Sequence, residues 1–427
     1  MAVLRFASLK NRSEERMKLI SGKPFWNTER LEAISAPTLD HDLTCDVVIL
    51  GAGITGALIA DALSRDGLDV VVIDKNQPGR GSTIASTSLL MYELDVPLHK
   101  LSGMIGTRQA ARVYRMGIEA IGQIGKLASE LPTDCSFRMK PSVYLSARHG
   151  NVADLRAEFD ARRGIGIHVD WLSRSDIASR FSFERHAAIL SHDAAEIDPA
   201  RFALGLFQRS ISHGVRIFGN TTLASATPTA SGIIVRTEAG QTIRGHKLIH
   251  ATGYAAAQYI GKKLATGRVT YAAATTPLSS FEGWWEQCHL WEAADPYIYL
   301  RTLPDGRAMI GGLDDRGLRF INDTQRQRRK SSVLADRFGK LFPRIEFDIA
   351  AAWAGVFQTT RDGMPYIGPH PDFPNSLFAL GYGGNGITFA VMAANILRDV
   401  LRGRSNRDLH LFAFDRPSVE TAVTLAG

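Results

Sequence analysis

The stretch that decides the fold is Cys45-Asp-Val-Val-Ile-Leu-Gly-Ala-Gly-Ile-Thr-Gly56. Its apolar first half predicts a buried parallel strand, and the residues after Gly53 predict a helix that continues to Ser64. Gly51 permits a tight turn, Gly53 lets a pyrophosphate approach the backbone, and Gly56 lets the helix pack closely on the strand. Because the helix N-terminus would face the phosphates, the pattern predicts a dinucleotide site.

A second predicted strand supports this interpretation. Leu68-Asp-Val-Val-Val-Ile73 follows a helix stop at Gly67 and ends at Asp74, where an acid can accept hydrogen bonds from an adenosine ribose. A lone G-x-G-x-x-G is weak evidence, but here strands, turn, helix and acid coincide at the expected spacing. NAD and FAD share this fingerprint, so other residues must identify the dinucleotide.

Two further segments favour FAD. A strand at Lys247–His250 ends at Ala251-Thr-Gly253, whose small residues allow a nucleotide to lie against the backbone. Near the C-terminus, a strand at Leu377–Leu380 leads into Gly381-Tyr-Gly-Gly-Asn-Gly-Ile-Thr388 and then a long helix. A helix N-terminus stabilises the negative charge that grows on a flavin when it takes up a hydride, whereas a nicotinamide needs no such partner.

Length, apolar runs and cysteine spacing argue against a membrane-spanning, secreted, disulfide-rich or metal-binding protein. The chain has 427 residues, 45% of them hydrophobic, which is enough for two domains. No apolar run approaches the ~20 residues of a membrane-spanning helix, and no secretory signal is evident, so we expect a cytoplasmic protein without a membrane span. Cys45, Cys135 and Cys288 show no metal-binding spacing, and we expect neither a disulfide framework nor a metal site.

The sequence resembles the D-amino-acid oxidase superfamily of FAD-dependent oxidoreductases, which includes glycine oxidase, sarcosine oxidase and gamma-glutamylputrescine oxidase. The resemblance runs from about Pro24 to Phe412. It rests on seven segments taken in order, namely 46–56, 81–87, 251–254, 305–312, 353–355, 362–368 and 381–388.

The resemblance implies an α/β fold, with a Rossmann-type FAD-binding domain interleaved with a substrate domain built on a mixed or antiparallel β-sheet. Residues 40–95, 190–265 and 350–427 would form the first domain, and 96–189 and 266–349 the second, after an N-terminal extension over 1–39. The residues that would hold FAD are Gly51, Gly53, Gly56, Asp74, Ser82, Thr83, Ser86, Leu223, Ala251, Gly253, Gly383, Gly384, Asn385, Gly386, Ile387 and Thr388. Since no cysteine lies near Gly355-Val-Phe357, where sarcosine oxidase tethers its flavin, FAD should be bound noncovalently.

The family's chemistry is hydride transfer from a small amine or amino-acid-like substrate to flavin N5. This needs positioning and desolvation more than acid–base groups. Candidates for an aromatic cage around the amine are Tyr254, Tyr271, Trp291, Tyr297 and Tyr299, although ordinary core and strand packing is the commoner reason for any single one of them.

One departure from the family concerns the substrate carboxylate. Phe357 stands where glycine oxidase and D-amino-acid oxidase have a carboxylate-binding arginine. Either the substrate lacks an α-carboxylate or another arginine binds that carboxylate. Arg301 is the preferred candidate. Arg361 is a weaker one, because the adjoining Asp362 could pair with it.

Two other functions stay open at the level of sequence. A flavin monooxygenase using NADPH shares the Rossmann fingerprint, and the net charge of +7 leaves room for a tRNA-modifying FAD oxidoreductase of the same family, although we do not expect nucleic-acid binding. The electron acceptor is oxygen or another molecule. Sarcosine-type oxidases place a lysine over the flavin, and no lysine occurs between Lys263 and Lys330, which predicts slow reaction with oxygen.

Overall fold

The computed structural model describes residues 18–26, 34–147, 151–254 and 264–420. Within these ranges the strands are β1 (Ile20–Gly22), β2 (Leu43–Leu50), β3 (Val70–Ile73), β4 (Leu89–Leu90), β5 (Arg138–Ser146), β6 (Val169–Ser173), β7 (Ala187–Glu196), β8 (Arg216–Phe218), β9 (Leu223–Pro228), β10 (Ile233–Thr237), β11 (Thr242–His250), β12 (Thr266–Thr275), β13 (His289–Ala293), β14 (Ile298–Thr302), β15 (Ala308–Arg316), β16 (Ile349–Thr359), β17 (Tyr366–Pro369) and β18 (Ser376–Leu380). The helices are α1 (Ile54–Arg65), α2 (Leu98–Ile105), α3 (Thr107–Ser129), α4 (Val152–Gly164), α5 (Arg174–Arg180), α6 (Pro199–Ser212), α7 (Thr324–Leu341), α8 (Gly386–Leu401) and α9 (Pro417–Glu420).

The smaller of the two sheets is built around parallel strands in the order β18-β11-β2-β3-β8, with β17 antiparallel at one edge. All four residues of β3 are fully buried, as expected for a parallel strand covered on both faces. Residues from α1, α3, α6 and α8 pack in one hydrophobic cluster on one face, and the hairpin β9–β10 covers the other. This is the Rossmann-type half that the sequence predicted.

The larger sheet runs in the order β1-β16-β12-β15-β14-β13-β5-β7-β4, with β6 also paired to β7. Its pairs are antiparallel except for β13 with β5, so the sheet is mixed, as the fold prediction allowed. Successive residues of a strand point to opposite faces, and β12 shows the consequence. Val269 and Tyr271 join a core with Leu334 and Phe338 of α7, whereas the side chains of Arg268 and Thr270 line a cavity on the other face.

The predicted domain limits need correction at two points. The limit at residue 350 falls inside β16, which pairs with β12 and belongs to the larger sheet. The limit at residue 190 falls inside β7 of the same sheet. Apolar alternation predicts that a segment is a strand, but it does not say which sheet the strand joins. No helix in the described ranges is long and apolar enough to cross a membrane.

Candidate active site and cofactor site

A cavity of about 520 Å³ lies between the two sheets. On one side it is lined by the residues that follow β2, β3 and β11 and by the start of α8. On the other side it is lined by the cavity-facing side chains of the larger sheet. Ligands of open α/β sheets bind at the carboxyl ends of the parallel strands, and this cavity occupies that position.

The first glycine turn forms one end of the cavity. Gly51 has a φ of +115°, and a Cβ there would lie 2.4 Å from the Ala251 carbonyl oxygen. A Cβ on Gly56 would lie 1.9 Å from the Gly51 carbonyl oxygen, so α1 can start this close to β2 only with glycine. Gly53 borders the cavity, where a side chain would fill the space beside Thr83. The turn therefore leaves a cradle at a helix N-terminus that fits a pyrophosphate.

Asp74 stands at the end of β3, beside this turn. Its carboxylate accepts hydrogen bonds from the backbone N–H groups of Ala52 (2.7 Å) and Asn76 (2.8 Å). Burial raises the pKa of Asp74, and these two bonds oppose the rise. Each carboxylate oxygen keeps a further acceptor site, which fits a ribose hydroxyl. Leu223, at the start of β9, lines the same cavity.

The serine-rich segment, residues 81–87, is held against the cavity by two tryptophans. Ser82 and Thr83 belong to a 3₁₀ turn, and the Thr83 hydroxyl accepts a hydrogen bond from the backbone N–H of Ile54 at 3.0 Å. The indole N–H of Trp26 donates to the Ser86 carbonyl oxygen at 2.6 Å, and that of Trp353 donates to the Ala85 carbonyl oxygen at 2.9 Å. The predicted residues Ser82, Thr83 and Ser86 all line the cavity.

The second glycine turn closes the cavity at the start of α8. Six residues that the resemblance assigned to FAD line the cavity here, namely Gly383, Gly384, Asn385, Gly386, Ile387 and Thr388. The Tyr254 hydroxyl donates to the Gly383 carbonyl oxygen at 3.1 Å, and the backbone N–H of Gly384 donates to an Asp95 carboxylate oxygen at 3.3 Å. Ala251 and Gly253 also line the cavity, as predicted.

Aromatic side chains cover much of the cavity-facing side of the larger sheet. Tyr144 of β5 pairs in register with Trp291 of β13, and their rings stack with centroids 3.6 Å apart. Trp291 pairs in turn with Tyr299 of β14, whose ring lies 5.9 Å from that of Tyr297. All four line the cavity, as do Tyr254 and Phe357. The sheet therefore presents a largely aromatic wall to the cavity.

Charged groups interrupt this wall in one place. Arg268 of β12 lies directly across from Phe357 of β16, and its guanidinium is 3.6 Å from the Asp295 carboxylate. Burial raises the pKa of the Asp314 carboxyl to about 6, although Thr270 and Arg268 oppose the rise. Neither carboxylate oxygen of Asp314 has a hydrogen bond of normal geometry from a described residue. The Asp95 side chain is open to the cavity, but the surrounding protein desolvates its carboxylate and raises its pKa, which Gly384 and Arg268 oppose.

Arg301 is not at the cavity, and the prediction that it could bind a substrate carboxylate is corrected here. Its side chain is 1% exposed, and it donates to the carbonyl oxygens of Thr87, Ser88 and Ile197. It also lies 3.4 Å from the Glu196 carboxylate. With these partners its guanidinium holds the serine-rich segment in place.

Two other predictions also need correction. The Tyr271 hydroxyl donates to Asp315 on the opposite face of the sheet, so Tyr271 cannot belong to an aromatic cage. Arg361 is exposed and does not line the cavity, and Asp362 pairs with Arg416 at 2.7 Å and not with Arg361.

Sequence reasoning missed several residues that line the cavity, among them Tyr144, Asp95, Arg268, Thr270 and Asp314. A signal existed for Asp314, which follows the Gly311-Gly312 element two residues later. None existed for Arg268, because its position beside Phe357 depends on the pairing of strands about ninety residues apart.

Neither a cysteine nor a histidine lines the cavity within the described ranges, so noncovalent binding of FAD stays our prediction. One group of side chains elsewhere could hold a metal ion, although the sequence led us to expect no metal site. It consists of His168, Asp170 and His192 on and beside β6 and β7, whose ligand atoms lie within 4.8 Å of one another. None of these three side chains lines the cavity.

Comparisons with known proteins agree with this geometry. The sequence matches the family described as FAD dependent oxidoreductase over residues 46–400. It is 25% identical over 382 residues to gamma-glutamylputrescine oxidoreductase of Escherichia coli (87% of this chain, 86% of that protein). It is 24% identical over 395 residues to glycine oxidase of Geobacillus kaustophilus (87% of this chain, 97% of that protein). The crystal structure of glycine oxidase from Geobacillus kaustophilus superposes with a TM-score of 0.72 at 20% identity, covering 88% of this chain and 99% of that one. The chain therefore belongs to the D-amino-acid oxidase family of FAD-dependent oxidoreductases, and its cofactor is FAD.

Proposed function

We propose that this flavoprotein oxidises a small amine or amino-acid-like substrate at the carbon that bears the nitrogen. The observation that carries the proposal is the aromatic wall of the larger sheet, which faces the cavity from the side opposite the start of α8. Two of the relatives are named for glycine and for gamma-glutamylputrescine, both of which contain an amino group.

The bound FAD would supply a hydride acceptor at N5, so that a neutral amine loses a hydride from carbon and a proton from nitrogen and becomes an imine. Positioning and desolvation then account for most of the rate enhancement. Tyr299, Trp291 and Phe357 would exclude water and orient the substrate carbon. The N–H groups at the start of α8 would stabilise negative charge on the reduced cofactor. Tyr254 would act as a positioning residue, because its hydroxyl holds the Gly383 carbonyl.

Phe357 argues against an α-carboxylate bound as in glycine oxidase. An unpaired buried carboxylate costs several kcal/mol, roughly 3–5 when one partner of an ion pair is removed. Arg268 replaces Arg301 as the nearest candidate for a substitute, since it lies across from Phe357 and lines the cavity. Its ion partner Asp295 is more than half exposed, so a substrate carboxylate could compete for the guanidinium.

An anaerobic screen for bleaching of the flavin tests the proposal. We expect reduction by amines alone, with secondary amines and amines without an α-carboxylate faster than glycine, sarcosine, D-alanine and D-proline. Bleaching by NADPH in the absence of any amine would contradict the proposal and would favour a monooxygenase. If the simple amino acids react fastest and Arg268→Ala leaves their rates unchanged, the argument from Phe357 fails while amine oxidation stands.

A further inference from the structure

We propose that Asp314, together with Asp95, binds a positively charged group of the substrate that is separate from the amine being oxidised. The substrate class would then be an amine with a second end that is cationic when bound, such as a diamine or an amine that carries a guanidinium. This inference rests on the proposed oxidation of amines and names the substrate class for that site.

The first observation is that the Asp314 carboxylate is poorly satisfied by the residues that the structure describes. The residue is 9% exposed and lines the cavity, yet neither carboxylate oxygen has a hydrogen bond of normal geometry from a described residue, and only Thr270 offers a weaker one. A buried polar group without a partner costs free energy, and native proteins satisfy nearly all of them. A buried carboxyl in a cleft without such a partner indicates that a ligand supplies the missing hydrogen bond and charge.

The second observation is the balance of charge in the cavity. Of the acids that line it, three have cationic partners within the protein: Glu93 pairs with Arg162, Glu292 with Arg185, and Asp295 with Arg268. Asp74 accepts two backbone N–H bonds at the nucleotide end. Asp95 and Asp314 are left, and Asp95 accepts one hydrogen bond, at 3.3 Å from Gly384.

The cations that line the described part of the cavity offset the charge of this pair only in part. Lys75 adjoins Asp74 at the nucleotide end. The charge of Arg268 acts on both Asp95 and Asp314, but this one guanidinium is shared with a third carboxylate, that of Asp295 at 3.6 Å. Asp95 and Asp314 line the same cavity, and the charge of Asp95 contributes to the raised pKa of Asp314. A cationic ligand between them would relieve this repulsion, and the rings of Tyr297 and Tyr299, which line the same cavity, would add to its attraction.

The reacting amine itself does not suit this position. A carboxylate beside an ammonium group stabilises its charged form and raises its pKa, whereas hydride loss from the adjoining carbon needs the neutral amine. Two carboxyls around the reacting nitrogen would therefore oppose the reaction. They suit a second cationic group that stays charged throughout.

Binding to the FAD-loaded enzyme, followed by the change in the flavin absorbance spectrum, tests the inference. The probes are n-butylamine and the diamines 1,3-diaminopropane, 1,4-diaminobutane and 1,5-diaminopentane. We expect the preferred diamine to bind at least about tenfold more tightly than n-butylamine, the scale of one charge-assisted hydrogen bond. In Asp314→Asn this preference should disappear.

Asp305→Asn provides the matched control, because it removes one carboxylate from the exposed turn between β14 and β15, where Asp305 pairs with Arg307. The control should keep the preference for the diamine. The inference is overturned if the unaltered enzyme binds n-butylamine and the diamines equally or binds neither. It is also overturned if the preference for the diamine survives in Asp314→Asn. If Asp314→Asn does not retain FAD, the binding of the diamines relative to n-butylamine by the unaltered enzyme tests the inference by itself.

Anaerobic flavin reduction by the same probes separates this inference from the proposed function. Equal reduction by n-butylamine and the diamines would leave amine oxidation standing and overturn the cationic subsite. Diamine binding that depends on Asp314, without reduction by any amine, would contradict amine oxidation and support the subsite.

Discussion

At the scale of single residues, the most informative side chain is the one that the fold leaves unsatisfied. Asp314 follows a residue with positive φ, Leu313, near an irregularity in the pairing of β12 with β15. This irregularity turns Asp314 into the cavity, while the next residue, Asp315, pairs with Arg326 and Lys330 on the other face. Two adjacent carboxylates thus have opposite environments. Asp315 has a pKa lowered to about 2 by its partners, and Asp314 has one raised to about 6 by burial.

The raised pKa of Asp314 predicts that this residue destabilises the fold above its folded-state pKa. The folded state holds the proton more tightly than the unfolded state, in which the carboxyl has its ordinary pKa of 3.8. The loss of folding free energy caused by the charged carboxylate is therefore largest above pH 6 and disappears as the pH falls towards 3.8. Asp314→Asn should therefore raise the free energy of unfolding by up to about 3 kcal/mol at about pH 8, at 1.36 kcal/mol per pKa unit. Near pH 4 the gain should be close to zero.

Chemical denaturation of the FAD-loaded enzyme and of Asp314→Asn across this pH range measures the difference. Asp305→Asn, which changes an exposed carboxylate, should show no such dependence on pH. A variant that is less stable than the unaltered enzyme at about pH 8 would show that Asp314 has a partner which stabilises its charge.

At the scale of elements, two strand–turn–helix units build the cofactor site around glycines that adopt a positive φ or allow a close backbone approach. β2 leads into α1 through Gly51 and Gly56, and β18 leads into α8 through Gly381 and Gly383, which have φ values of +76° and +54°. Each unit directs the free N–H groups of a helix N-terminus into the same cavity. β3 adds Asp74, which ties the first turn to the neighbouring strand through the Ala52 N–H.

Asp74→Ala should weaken FAD binding, because it removes the acceptor for a ribose hydroxyl and leaves the N–H groups of Ala52 and Asn76 without their partner. The expected loss is about 1–3 kcal/mol, the scale for a hydrogen bond to a charged group. Titration of the apoprotein with FAD, followed by flavin fluorescence, measures it. Asp372→Ala, a change in an exposed carboxylate outside the cavity, should bind FAD normally. Unchanged affinity in Asp74→Ala would mean that Asp74 is not the ribose ligand.

At the scale of the whole molecule, the two sheets meet over one cavity, and each contributes a different kind of surface. The smaller sheet supplies backbone N–H groups and small residues, whereas the larger sheet supplies rings and carboxyls. The larger sheet places no lysine on the described part of the cavity wall, since Lys75 belongs to the nucleotide end. The positive charge of Arg268 is partly offset by Asp295 at 3.6 Å.

This arrangement predicts slow reoxidation of the reduced enzyme by oxygen and a preference for another electron acceptor. Superoxide forms with a negative charge, and the cavity wall near the larger sheet carries more carboxyls than cations. Stopped-flow mixing of the reduced enzyme with aerated buffer, compared with turnover supported by an artificial dye, measures the two rates. Peroxide production under air that matches the rate with the dye would show that oxygen is the acceptor.

The sequence by itself determined the Rossmann half, both glycine turns and the identity of the cofactor. The residues of each unit are neighbours in the chain, as in 45–74 and 377–388, and strand periodicity and glycine conformation are local properties. All the residues that the resemblance assigned to FAD line the cavity, except Gly56, which packs against Gly51.

Only the tertiary structure decided the composition of the substrate-facing wall. The sequence favoured Arg301 as the carboxylate ligand and offered no signal for Arg268, but Arg301 lies under the serine-rich segment and Arg268 lies beside Phe357. Which residues share one sheet face depends on strand order, register and bulges, and these join segments far apart in the chain. Asp95 and Asp314 come from segments more than two hundred residues apart, so their common position in the cavity could not be predicted from local patterns.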